Sequence, residues 1–308
     1  MRPCVVLAAA ALGLLVARPA AAGATASVPF VFVDNRMTIQ CRIGGAGPFT
    51  MVVDTGSPDV VLDDRTAAAL KARVHTAGTG SGAGNKTVRI GATVLPELSI
   101  GSLHFHDVAA TVIDLSEIRT KLGFAHLDGI VGYSIMRSYA VAVNADSDTI
   151  SFLTARPTVP PSATTTPFSG VTPIVGATID GIPTRVIIDT GDRSSLTLFG
   201  PFAHAHGYYG REPSRSNVIT GYGIGGPVYG DVFTLPSLEI FSRRLSGVVT
   251  RASRQTGGVF TGSQQAGSVG EGVLKRFNIV YDYPDKQIIA WPNSYFALTD
   301  RFNPPPNG

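Results

Sequence analysis

Two short stretches carry the chemistry available to this chain. Thr50 to Leu62 reads TMVVDTGSPDVVL, and Thr184 to Leu196 reads TRVIIDTGDRSSL. Each sets an acid, Asp54 or Asp189, after an apolar, β-branched run and ahead of Thr-Gly, with another apolar stretch following within five residues. A strand therefore delivers each carboxyl to a tight turn, where Gly56 and Gly191 permit the backbone conformation required. Two carboxylates held in contact cannot both ionise, so their pKa values split and one proton is shared. The ionised member then serves as general base on a water molecule, and the protonated one donates to a carbonyl oxygen. One Asp-Thr-Gly alone would be weak, since the same residues make an ordinary turn. Its recurrence in the same context is what gives it weight.

The elements that must position these acids are also duplicated. Asp54 and Asp189 lie 135 positions apart, and Gly129 to Phe152 recurs as Gly267 to Ala290, 138 positions on. Two motifs repeated in one order at nearly one offset indicate a duplicated lobe. Val28 to Val33 and Met37 to Ile43, with a turn at Gly44 to Gly47, read as strands opening lobe one. Thr172 to Ile179 and Pro183 to Ile188 open lobe two around an Asp180-Gly181 hairpin turn. Thr149 to Phe152 and Gln287 to Trp291 read as closing strands. Helical pattern is confined to Arg65 to Arg73 and short turns near Ile135 and Val273. The fold class expected is all-β with a few short helices. Thr154 to Gly170, rich in Pro, Ser and Thr, reads as a linker or extended crossover. The lobes are accordingly set at residues 23–159 and 160–308.

Residues 1–22 have the basic start, apolar run and small-residue end of a secretory signal peptide, with cleavage after Ala22 or Ala26. The apolar run is too short to span a bilayer. Removal of Arg2 and Arg18 from 25 basic residues leaves a net charge of +1 against 22 acidic ones. That balance offers no electrostatic footprint for nucleic acid or an anionic membrane. Cys41 is the one cysteine beyond the leader, which leaves no internal disulfide and makes the core the source of stability. A secreted or periplasmic protein is expected, without a long inhibitory pro-segment.

With Asp128-Gly-Ile-Val-Gly132 and Ala266-Gly-Ser-Val-Gly270 added to the two D-T-G turns, the chain resembles the aspartic proteases of the pepsin and retropepsin clan. It is most similar to bacterial-type retropepsin-like aspartyl proteases. The resemblance runs from Val28 to Trp291, and the second apolar-Gly segment fits the pattern less fully than the first. It implies two homologous acid-protease-like β-barrel lobes, with Asp54 and Asp189 facing each other across a pseudo-twofold axis. It also implies a cleft for a polypeptide substrate and a supporting turn of Thr55, Gly56, Ser57, Thr190, Gly191 and Asp192. Each threonine hydroxyl is expected to bond across to the other lobe's backbone. Neither a metal nor an organic cofactor is required, and the duplication supplies both acids within a monomer.

Three features depart from that family or compete with it. Ser57 follows the first turn, where its hydroxyl can orient Asp54, but Asp192 occupies the matching place in the second. A third carboxylate either repels ionised Asp189 and raises the pair's pKa, or is neutralised by Arg193 or solvent. This favours an alternative function, a catalytically silent two-lobed peptide-binding protein. Gly78 to Gly84 and Gly221 to Gly226 are flap candidates, through Gly80, Ser81, Tyr222 and Gly223, or else ordinary hairpin tips. Gly221 to Gly226 also matches G-x-G-x-x-G, yet the sequence beyond it reads as a strand and not the helix a dinucleotide site needs. His104-Phe-His106 and His204-Ala-His206 suggest a metal, but no neighbouring cysteine or carboxylate in the sequence completes either set.

Overall fold

The computed structural model describes residues 25–211 and 215–306, so the expected leader at 1–22 lies outside the described residues. Three sheets hold about half of the described residues. The lobe-one sheet has eight strands, in the order Val31–Val33, Arg36–Ile43, Ala46–Val53, Gly129–Val131, Val60–Asp63, Leu103–Ile113, Val88–Ile100 and His75–Gly80. Pairing of Arg36–Ile43 with Val88–Ile100 closes it on itself. The lobe-two sheet follows the same plan: Ile174–Ile179, Ile182–Ile188, Gly267–Val269, Leu196–Leu198, Arg243–Ser253, Gly226–Ile240 and Arg215–Gly223. Its closing pair is Ile174–Ile179 with Gly226–Ile240.

The third sheet joins the lobes. Ala26–Pro29, Thr149–Leu153 and Ala140–Asn144 form one half, and Phe277–Asp282, Gln287–Pro292 and Thr164–Pro167 form the other. The halves meet where Ala140–Asn144 pairs antiparallel with Phe277–Asp282. Thr164–Pro167 therefore leaves the expected linker and becomes an edge strand, a place where proline's missing N–H costs the ladder nothing. The expected boundary at 159/160 falls in the connection just before it.

Local chemistry explains most element boundaries. Asp180 and Gly181 adopt φ of 52° and 82°, the conformation an Asp-Gly hairpin turn requires. The single opening strand expected over Val28 to Val33 is instead two strands. Ala26–Pro29 belongs to the joining sheet and Val31–Val33 to the lobe-one sheet, and Phe30 N donates to Asp148 O at 2.9 Å between them. The expected helix at Arg65 to Arg73 is shorter, Asp64–Ala69, and Lys71 beyond it has a positive φ. A helix at Ser116–Lys121 was not anticipated, although Leu115, Ile118 and Leu122 have its spacing.

The core runs continuously from lobe to lobe. Val53, Val60 and Val131 pack in the same cluster as their lobe-two counterparts Ile188, Leu196 and Val269. Cys41 lies in this core as a free thiol, pushed up to about 12 by burial, and acts as a small apolar side chain.

Candidate active site

Each acid stands at the end of a strand clamped by the apolar-Gly segment. Ala46–Val53 runs parallel to Gly129–Val131, and Asp54 N donates to Val131 O at 3.0 Å. Ile182–Ile188 runs parallel to Gly267–Val269, and Asp189 N donates to Val269 O at 3.0 Å. The less regular second segment thus pairs as the first does.

Both turns then fold back on their own carboxyls. Asp54 Oδ1 accepts from the amides of Gly56 (2.7 Å) and Ser57 (3.1 Å). Asp189 Oδ1 accepts from those of Gly191 (2.9 Å) and Asp192 (3.1 Å). The glycines are required by the opposite acid. A Cβ on Gly56 would lie 2.7 Å from Asp189 Oδ1, and one on Gly191 would overlap the Asp54 carboxyl.

The two carboxyl groups lie close enough to act on each other's titration. Burial raises Asp54 above the usual carboxylate range, against the lowering pull of the Gly56 amide. Burial raises Asp189 further, and the charges of Asp54 and Asp192 add to it. Such a pair holds one proton between its members, and its titration belongs to both. Each aspartate nevertheless remains partly exposed.

Thr55 and Thr190 lock the turns together. Thr55 N donates to Thr190 Oγ1 (2.9 Å) and Thr190 N to Thr55 Oγ1 (3.0 Å). Their hydroxyls donate onward to Ile188 O (2.7 Å) and Val53 O (2.8 Å). An outer ring of contacts was not read from sequence. Arg36 Nε donates to Gly191 O at 2.7 Å, and Thr172 Oγ1 reaches Gly56 O at 3.4 Å from the equivalent place in lobe two.

Two expected roles are different here. The Ser57 hydroxyl donates to Asp59 O (2.9 Å), so the Ser57 amide, not its hydroxyl, orients Asp54. Asp192 is neutralised by Arg251, not by Arg193 or solvent. Arg251 Nη2 lies 3.0 Å from Asp192 Oδ1, and Thr197 Oγ1 donates to Asp192 Oδ2 at 2.7 Å. Although burial opposes it, these contacts hold Asp192 below the usual carboxylate range. Arg193 turns instead to Asp34 at 2.8 Å. No local signal marks Arg251, which comes from a strand 59 residues further on.

The two flap candidates meet. Gly80 ends strand His75–Gly80 and Ser81 opens its hairpin tip, while Tyr222 and Gly223 end strand Arg215–Gly223. Gly84 N donates to Ile224 O and Lys86 N to Gly225 O, both at 2.9 Å. On its other side the lobe-one tip is held by Val259 N to Gly82 O (3.0 Å) and Gln255 Nε2 to Ala83 O (2.9 Å). Ala83 packs with Phe199, Val228 and Phe260 of lobe two, and the buried Tyr222 packs with Val52, Leu115 and Leu122 of lobe one. Each tip thus seats a side chain in the other lobe.

The remaining motifs lie elsewhere. Gly226–Ile240, following the G-x-G-x-x-G match, is a strand. His104 and His106 flank Glu97, a cross-strand carboxylate the linear sequence hid, at 3.1 and 3.8 Å. His206 packs on Phe202. Asp63, Asp64 and Asp114 bring three carboxylates close enough to share a cation, but Arg65 and Arg119 already pair with Asp63.

Comparison with known proteins agrees with this fold. Residues 39–135 match the aspartyl protease family profile, a stretch holding Asp54 but not Asp189. The chain is similar in structure to an aspartic proteinase from Irpex lacteus, with a TM-score of 0.54 and 17% identity. That similarity covers 90% of this chain and 100% of the other, and at such identity it carries the fold alone. No curated protein sequence matches the chain.

Proposed function

Taking the chain as an aspartic protease of the pepsin and retropepsin clan, we propose that it is an endopeptidase in which Asp54 and Asp189 together activate water against a peptide bond. The observation that supports this is the delivery of two desolvated carboxyls by equivalent turns, each so close to the other turn that a Cβ on Gly56 or Gly191 would collide with the opposite acid. The ionised member of the pair takes a proton from water as it attacks the scissile carbonyl carbon. The protonated member donates to the carbonyl oxygen, and the tetrahedral diol collapses with protonation of the leaving nitrogen. The Gly56, Ser57, Gly191 and Asp192 amides keep one oxygen of each carboxyl fixed, which aligns the other for proton transfer. An extended polypeptide is the substrate, held by main-chain hydrogen bonds once the flap tips part. Export follows from the leader-like residues 1–22.

The reading as a silent binding protein rested on Asp192. Its pairing with Arg251 supplies a counter-charge and weakens that case.

The test is hydrolysis of a proteome-derived peptide library by purified protein between about pH 3 and 8. Cleavage is expected in the wild type and lost in both Asp54→Asn and Asp189→Asn. Wild-type protein that binds a statine-type inhibitor and cleaves nothing would decide for the silent reading.

A further inference from the structure

Lobe two holds a second concavity behind the Asp189 turn, away from the flap tips. It is a partly enclosed cavity of about 230 Å³ between strand Arg243–Ser253, the end of helix Glu271–Leu274 and residues 298–303. Ser194, two residues past Asp192, is part of its wall. No step of the proposed peptidase chemistry uses it.

The cavity is defined by unbalanced charge. Arg193, Arg251, Lys275, Arg276 and Arg301 line it, with Asp300 as the lining acid. Arg251 and Arg276 are buried and Lys275 is half-buried. Among the described residues, Arg251 is matched by Asp192, while Asp34 is divided between Arg193 and Arg36. Asp300 lies 3.7 Å from Arg276 Nη2 and also accepts from Val249 N. Lys275 Nζ donates to a neutral oxygen, Asn35 Oδ1, at 2.7 Å. Its neighbouring acid, Glu271, is fully enclosed and keeps its proton up to about 8.

Six cations in or beside this cavity (Arg36, Arg193, Arg251, Lys275, Arg276, Arg301) therefore face three acids besides Glu271 (Asp34, Asp192, Asp300). Removing unmatched cations from water is costly unless an anion accompanies them. Lys275 has three ammonium donors and spends one on Asn35. Arg276 donates Nε to Gly272 O, and its Nη2 lies 3.7 Å from Asp300, beyond hydrogen-bond length, so terminal donors remain for a ligand. A planar or tetrahedral oxyanion matches such a set of guanidinium and ammonium donors.

We propose that this cavity is a binding site for a small oxyanion, a phosphate or a small carboxylate, held by Lys275 and Arg276, with Arg301 in the wall adding to the attraction. The site is distinct from the cleft, and its occupancy does not depend on hydrolysis.

Calorimetric titration of the full chain with inorganic phosphate, and separately with malonate, tests this at constant ionic strength in chloride near pH 6. One saturable site is expected for at least one anion. Phosphate saturating alone identifies a phosphate site, and malonate saturating alone a carboxylate site. Lys275→Met should weaken binding at least tenfold, with Lys275→Arg retaining it. Arg301→Gln, at an exposed position where folding is not at stake, should weaken it several-fold. Arg89→Met, on the lobe-one surface, should leave it unchanged. Absence of saturable heat with either anion, or wild-type affinity in both Lys275→Met and Arg301→Gln, would overturn the site.

Discussion

Thr55 and Thr190 exchange hydrogen bonds, each amide donating to the other's hydroxyl at 2.9 and 3.0 Å, although 135 residues separate them. Both are fully buried, so neither hydroxyl has water to fall back on. The two acids are thereby registered from inside the molecule, by main chain and hydroxyl and not by the carboxyls themselves.

Removing one hydroxyl strands a buried amide and a carbonyl in the other turn. Thr55→Val and Thr190→Val should each cost about 1–3 kcal/mol in denaturant unfolding. The two substitutions strand different groups, Thr190 N and Ile188 O in one and Thr55 N and Val53 O in the other, so coupling in a double-mutant cycle is expected only because the two turns relax as one unit. Additive effects would mean that the turns are held apart by other contacts.

Arg251→Met leaves the Asp192 carboxylate buried and unpaired beside Asp189. Destabilisation of about 3–5 kcal/mol is expected, with recovery of most of it in Arg251→Met combined with Asp192→Ser. In the single variant the unneutralised charge opposes ionisation of the pair, so the pH–rate profile should move to higher pH. A profile that stays in place would show that Asp192 does not communicate with the acids.

Closure of the flap tips depends on an apolar socket. Ala83→Asp puts a charge among Phe199, Val228 and Phe260, which strongly disfavours seating. Faster hydrogen exchange at the Gly84 and Lys86 amides, and a raised KM, are the expected readouts. Unchanged exchange would mean that the tips do not part as a unit.

Stability should fall as pH rises, because of Glu271. Its carboxyl titrates at about 8 in the folded chain against an ordinary value of 4.5. Between these values the folded state binds a proton that the unfolded state has released, so rising pH favours unfolding, by about 1.4 kcal/mol for each unit of pKa displacement. Asp192, held low, works in the other direction: its contribution is present above the ordinary carboxylate value and is lost as pH falls through its lowered one. Urea midpoints for Glu271→Gln measured from about pH 5 to 8 should be flatter than those of the wild type.

The peptide order by itself determined the duplicated plan and the two turns, and it singled out Asp54 and Asp189 as the candidate acids. These are local statements: β-branched runs make strands, Asp-Thr-Gly makes a turn, and a repeat makes a second lobe of the same kind. Sequence also supported the strand reading after Gly226, since Pro227 to Phe233 has no helical period. Tertiary structure decided the partners. Arg251 reaches Asp192 from 59 positions away, Glu97 meets two histidines across a strand pair, and Ala83 enters the opposite lobe. Thr164–Pro167 became a strand because the Gln287–Pro292 edge was there to receive it. Charge neutralisation, sheet edges and buried sockets depend on distances between segments remote in sequence. Spacing along the chain carries no record of those distances.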